Sequence, residues 1–144
     1  MTTETKTYSS YDELKLDYIQ SAQNFEFLCL EINNIINEID DNVNLTIDDV
    51  RTTLMDQKEK IAKSYLKYQE YANKSIDMLN DELKSHENQP LSRNFDKLIE
   101  LNEEKDQINK EIDYLNEYYD DANDLISSYV RKYEISQDSI FDLE

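Results

Sequence analysis

Five carboxylates stand close together in the last third of this chain of 144 residues: Asp113, Glu117, Asp120, Asp121 and Asp124. Steps of three and four residues place them on one arc of a helix, with neighbours about 5–6 Å apart. Such a row can attract a cationic partner, and its spacing is coarsely similar to a line of phosphates. It does not make a calcium loop, because residues 120–124 lack the required glycine and the terminal glutamate. Other chemistry does not assemble. His86 is the sole histidine and Cys29 the sole cysteine, so no Ser/His/Asp, Cys/His or zinc set can be built. No Glu-x-x-His pair suggests a di-iron bundle. The chain has no glycine, which removes the dinucleotide fingerprint and the P-loop. The reading is therefore a protein that is not an enzyme, with no catalytic residue, cofactor or metal.

Charge narrows the partners. The formal net charge is −18, from 33 acids against 15 bases. This argues against direct nucleic-acid binding, which needs cations facing phosphates. It argues equally against an anionic membrane surface. Two stretches contain no Lys, Arg or His: residues 16–50 and residues 111–130. An acidic helical face usually serves solubility. The sharper expectation is that the five carboxylates contact a basic protein partner, with Tyr114 and Tyr118 beside them as contact residues. A single cysteine cannot form an internal disulfide, which fits a reducing compartment. No apolar run reaches membrane-spanning length, and residues 1–8 carry no apolar signal core. The expected location is cytoplasmic or nuclear.

The elements that would carry these residues are helices. Over residues 91–133 the heptad a positions are Leu91, Leu98, Lys105, Ile112, Tyr119, Ile126 and Tyr133; the d positions are Asn94, Leu101, Ile108, Leu115, Ala122 and Tyr129. A mostly apolar seam of this length predicts a long helix packed against others. Tyr11, Leu14, Tyr18, Ala22, Phe25, Leu28, Ile32, Ile35 and Ile39 form a second seam. A third runs from Ile47 through Val50, Leu54, Ile61, Tyr65, Tyr68, Ala72, Ile76 and Leu79 to Leu83. Ser10 and Thr46 have the types and spacing of N-caps, and Pro90 marks a boundary. The expected fold is all-α, an elongated three-helix antiparallel bundle with coiled-coil-like packing. Its helices run over about 10–40, 46–86 and 91–133, after a disordered leader at 1–9 and before an acidic tail at 134–144. A dimerising helical hairpin is the alternative.

Helix lengths add one expectation. Given equal rise per residue, the first helix covers the second only to about residues 72–76. The hairpin beyond would lack a third partner, and Phe95 and Ile99, which lie off the seam, would form an apolar contact end. The functional expectation is a helical protein–protein interaction protein, acting as a subunit or adaptor of a larger assembly, with self-association at that end as one outcome. The alternative is an acidic inhibitor that mimics nucleic acid and blocks a basic nucleic-acid-binding protein. Anti-restriction and anti-CRISPR proteins are an analogy of charge only, since no motif matches.

Overall fold

The computed structural model describes the backbone of residues 8–42, 44–87 and 91–142, and the side chains of residues 8–42, 44–87 and 95–134. They form α1 (Tyr11–Asp41), α2 (Ile47–Glu87) and α3 (Leu91–Asp142), with no strand among the described residues. The chain is an all-α three-helix bundle.

Both described N-termini are closed by side chains. Ser10 has extended backbone, and its Oγ accepts from the Glu13 N–H at 3.4 Å. Glu13 reaches back one residue further than a capping box requires, accepting from the Ser9 N–H at 2.6 Å and the Ser9 hydroxyl at 2.7 Å. At α2 the exchange is reciprocal. Thr46 Oγ1 accepts from the Asp49 N–H at 3.1 Å, and the Asp49 carboxylate accepts from the Thr46 N–H at 3.2 Å. These bonds satisfy orphan donors and place Asp48 and Asp49 at the positive end of the helix dipole.

Cross-helix contacts fix the topology. The α1 start lies beside Glu82, and its centre beside Tyr65 and Tyr68, so α1 and α2 are antiparallel. Tyr18 bonds Glu111, Phe25 packs on Tyr119 and Asp40 accepts from Tyr129, so α1 and α3 run parallel. The core is built around Phe25. Its ring stacks on Tyr68 at 6.2 Å and tilts against Tyr65 at 5.3 Å, while Tyr65 stacks on Tyr119 at 4.1 Å. Leu14, Ile32, Leu54, Ile61, Leu79, Leu115 and Ile126 are fully buried around this cluster. Among the described residues one buried side-chain atom, Asn123 Oδ1, has no hydrogen-bond partner; the buried polar side chains of α1 and α2 are satisfied. Gln57 Nε2 donates to the Leu28 carbonyl at 3.0 Å, and Ser21 and Ser75 donate to carbonyls of their own helices.

Three details differ from the sequence reading. Over residues 98–122 of α3 the d row carries the core: Leu101, Ile108, Leu115 and Ala122 are buried, whereas the a-row residues Leu98, Lys105, Ile112 and Tyr119 are half-buried. Beyond them the order reverses, with a-row Ile126 fully buried and d-row Tyr129 half-buried. The helix also does not stop at Tyr133 but continues to Asp142. Residues 134–142 contain neither glycine nor proline, so nothing interrupts the backbone ladder there; residues 143–144 of the expected tail lie outside the described residues. Finally, α1 extends further along α2 than residues 72–76. The Tyr11 N–H, an orphan donor of the first turn, bonds Glu82 Oε1 at 3.3 Å, because the long glutamate side chain reaches back to it. Of the expected leader, residues 1–7 lie outside the described residues. Tyr8 is packed: its hydroxyl donates to Asp17, and Lys74 Nζ sits 5.3 Å from its ring centroid.

Cys29 supplies a test of this packing. Burial pushes its thiol up to about 12, with the Glu26 carboxylate adding to the shift. Because the thiolate is the nucleophile, alkylation of the folded protein at neutral pH should be at least about tenfold slower than in denaturant. Equal rates would show that α1 is not held against the bundle.

Candidate interaction surfaces

The parallel arrangement of α1 and α3 brings the two base-free stretches side by side. Residues 16–41 of the first run along residues 111–130 of the second, as the Tyr18–Glu111 bond at 2.8 Å and the Tyr129–Asp40 bond require. Asp113, Glu117, Asp120, Asp121 and Asp124 are all exposed. The basic residues of α2 do not neutralise them. Lys63 pairs with Glu59 of its own helix at 3.1 Å, and Arg51 reaches Glu134 and Asp48. Among the described residues no ion pair joins the arc to Lys58, Lys60, Lys63 or Lys67.

Tyr114 and Tyr118 sit next to this arc. Their hydroxyls lie 2.9 Å apart and their rings meet edge to face at 4.9 Å. The bond to Tyr114 is the main reason the Tyr118 hydroxyl is pushed up to about 12, with burial, Glu26 and Cys29 adding to it. Tyr114 is exposed and Tyr118 half-buried, so the pair presents a ring edge and a hydroxyl at the α1–α3 boundary.

Further towards the α3 start, an open groove of about 440 Å³ separates α1 from α3. Tyr11, Lys15, Tyr18 and Ile19 form one wall; Glu100, Glu103, Glu104, Gln107, Ile108 and Glu111 form the other. Lys15 and two of the groove's four glutamates, Glu104 and Glu111, are engaged across it. Lys15 pairs with Glu104 at 2.8 Å, Tyr11 donates to Glu104 at 3.3 Å, and Tyr18 donates to Glu111. Burial, followed by the bonds to Tyr68 and Glu111, holds the Tyr18 hydroxyl far above the ordinary tyrosine range. Tyr11 and Tyr18 are thus neutral donors holding carboxylates across a helix interface, beside the one cation Lys15. Among the described residues no cluster of His, Cys, Asp and Glu comes together to hold a metal ion.

At the far end, Phe95 and Ile99 are exposed, while Ile76, Met78 and Leu83 pack half-buried against the core. Phe95 and Asp113 are eighteen residues apart, as are Ile99 and Glu117. Eighteen residues are about five whole turns. The apolar pair and the acidic arc therefore belong to one outward face of α3.

A further surface was not singled out from the sequence. Leu16, Ile19, Phe27 and Leu30 of α1 are exposed. Their steps of three, eight and three residues are helical spacing, displaced from the core seam, and that second period was the available signal. No helix among the described residues is long and apolar enough to cross a membrane. No known family model matches this chain, and no curated protein or solved structure is significantly similar to it.

Proposed function

We propose that this protein is a non-enzymatic acidic helical interaction protein, a subunit or adaptor that joins a larger assembly through the outer face of α3. One observation carries the reading. Phe95 and Ile99 are exposed in register with five exposed carboxylates, and among the described residues none of the five is in an ion pair, with Lys110 beside Asp113 or with any other base. An exposed apolar patch rimmed by charge is the common form of a protein interface. The apolar pair supplies contact area, and the arc speeds encounter with a basic partner.

The test takes a partner captured from the native host and measures its binding to purified protein. Phe95→Glu/Ile99→Glu should weaken affinity by about tenfold or more. Replacing Asp113, Glu117, Asp120, Asp121 and Asp124 by Asn or Gln should chiefly slow association and flatten its salt dependence. Wild-type affinity in both variants, with helicity retained, would eliminate this face as the interface. Sedimentation equilibrium of the first variant reads self-association separately.

The same arc supports a second reading, an inhibitor that occupies the nucleic-acid groove of a basic protein. Its carboxylates repeat about every 5–6 Å along the helix. That reading requires duplex DNA or RNA to compete with this protein for the captured partner. A partner that binds both at once would exclude it.

A further inference from the structure

Helix α1 is apolar on two sides. One side faces the core through Leu14, Tyr18, Phe25, Cys29 and Ile32. The other carries Leu16, Ile19, Phe27 and Leu30, which are 76%, 38%, 65% and 47% exposed. At about 100° per residue, these four fall within an arc of about 80° on the side of α1 opposite Phe25. Gln23 lies within the same arc. No described element covers these side chains, and together they span fourteen residue steps, about 21 Å of helix. That is the length over which a partner helix of about four turns can pack side by side with α1.

Charge selects among possible occupants. Glu26 borders the strip on one side and Glu31 on the other, and neither is in an ion pair among the described residues. Residues 16–50 contain no Lys, Arg or His. A second copy of α1 laid along this strip would set acid against acid, since the strip itself holds no base and Lys15, at its start, is already paired with Glu104 at 2.8 Å. An anionic lipid surface or a nucleic acid would meet the same repulsion. A helix with an apolar stripe bordered by lysines or arginines would gain at both places, in the manner of flanking pairs in a coiled coil.

We propose that the outer face of α1 is a docking strip for one basic amphipathic helix of a partner protein. The partner's apolar residues lie over Leu16, Ile19, Phe27 and Leu30, and its cations face Glu26 and Glu31. This rests on the interaction-protein reading but uses a different face, so α1 and α3 are separate contact surfaces.

The test uses the full chain and a fluorescently labelled synthetic peptide of about three heptads, with leucine at a and d and lysine or arginine at e and g. A scrambled peptide of identical composition is the control. Anisotropy titration should show the periodic peptide binding about tenfold or more tighter than the scrambled one. Leu16→Gln/Phe27→Gln should lower its affinity by about tenfold or more, because two contact side chains lose their apolar character. These positions are exposed, so circular dichroism should show an unchanged fold. Phe95→Glu/Ile99→Glu should leave peptide binding as it is. Equal binding of the two peptides would overturn the proposal, as attraction would then be charge alone. So would undiminished binding to Leu16→Gln/Phe27→Gln. Loss only in the α3 variant would also overturn it, while leaving the interaction reading on α3 intact. A wild-type dimer that Leu16→Gln/Phe27→Gln converts to monomer would assign the strip to a second copy and reject a basic partner.

Discussion

Phe25→Ala should destabilise the bundle by about 3–5 kcal/mol, the usual cost of emptying a buried aromatic site. Phe25 is fully buried, and its ring touches Tyr65 and Tyr68 of α2 and Tyr119 of α3. Truncation removes packing at a point where aromatic rings of all three helices meet. Against a total stability of about 5–15 kcal/mol for an ordinary domain, that loss is a large share. Phe27, two residues along, gives the control. It is exposed on the opposite side of α1, so Phe27→Ala should stay within about 0.5 kcal/mol of wild type. Urea denaturation followed by far-UV circular dichroism reads both. Similar midpoints for the two variants would show that α1 does not present Phe25 to the core.

Alkali should destabilise the protein steeply once the pH passes about 10. Tyr11, Tyr18 and Tyr68 are buried, and burial, the largest cause for each, raises all three hydroxyls, that of Tyr68 to about 12. Unfolded tyrosines ionise near pH 10. Between that value and the folded pKa the unfolded state binds fewer protons, so stability falls as pH rises. The contribution of each neutral hydroxyl is complete below about pH 10 and is lost through the window above it, at about 1.4 kcal/mol per pH unit. Three such groups together remove about 4 kcal/mol per unit while all are in the window. New phenolates would also add to a net charge of −18, and self-repulsion acts in the same direction. Tyr18→Phe/Tyr68→Phe should therefore shift the alkaline midpoint upward. An unchanged midpoint, or unfolding that starts below pH 9, would refute this account.

Much of the architecture could be read from residue types and periodicity. Ser10 and Thr46 are caps because short hydroxyl side chains compete well for free N–H groups, and both are found at that work. Leu101, Ile108, Leu115 and Ala122 are buried because a seven-residue repeat keeps one line facing the partner helices. The same repeat cannot say which of its two rows lies deeper. Crossing geometry decides that, and it leaves Ile112 half-buried beside a fully buried Leu115. Nor can it pair Tyr18 with Glu111, residues ninety-three positions apart, because that bond depends on the axial stagger of two helices. Of the residues proposed for interaction, Phe95, Ile99 and the five carboxylates were legible as side chains lying off the seam. Leu16, Ile19, Phe27 and Leu30 were not picked out, because one strong apolar period on α1 masked a weaker one.

The uninterrupted course of α3 has a consequence for avidity. Phe95 and Asp124 stand on one unbroken helix, twenty-nine residues apart, which is about 44 Å of axial rise. Hydrogen-bonded pitch sets that distance, with no glycine anywhere in the chain to soften it. Two ligands tethered to each other and seated at these positions would gain the most effective concentration when their tether matches that span. Shorter tethers would allow only one to engage, and longer ones would dilute the second encounter. If the proposed contacts are used, the helix would act as a ruler, selecting bivalent ligands by the length of what joins their two heads.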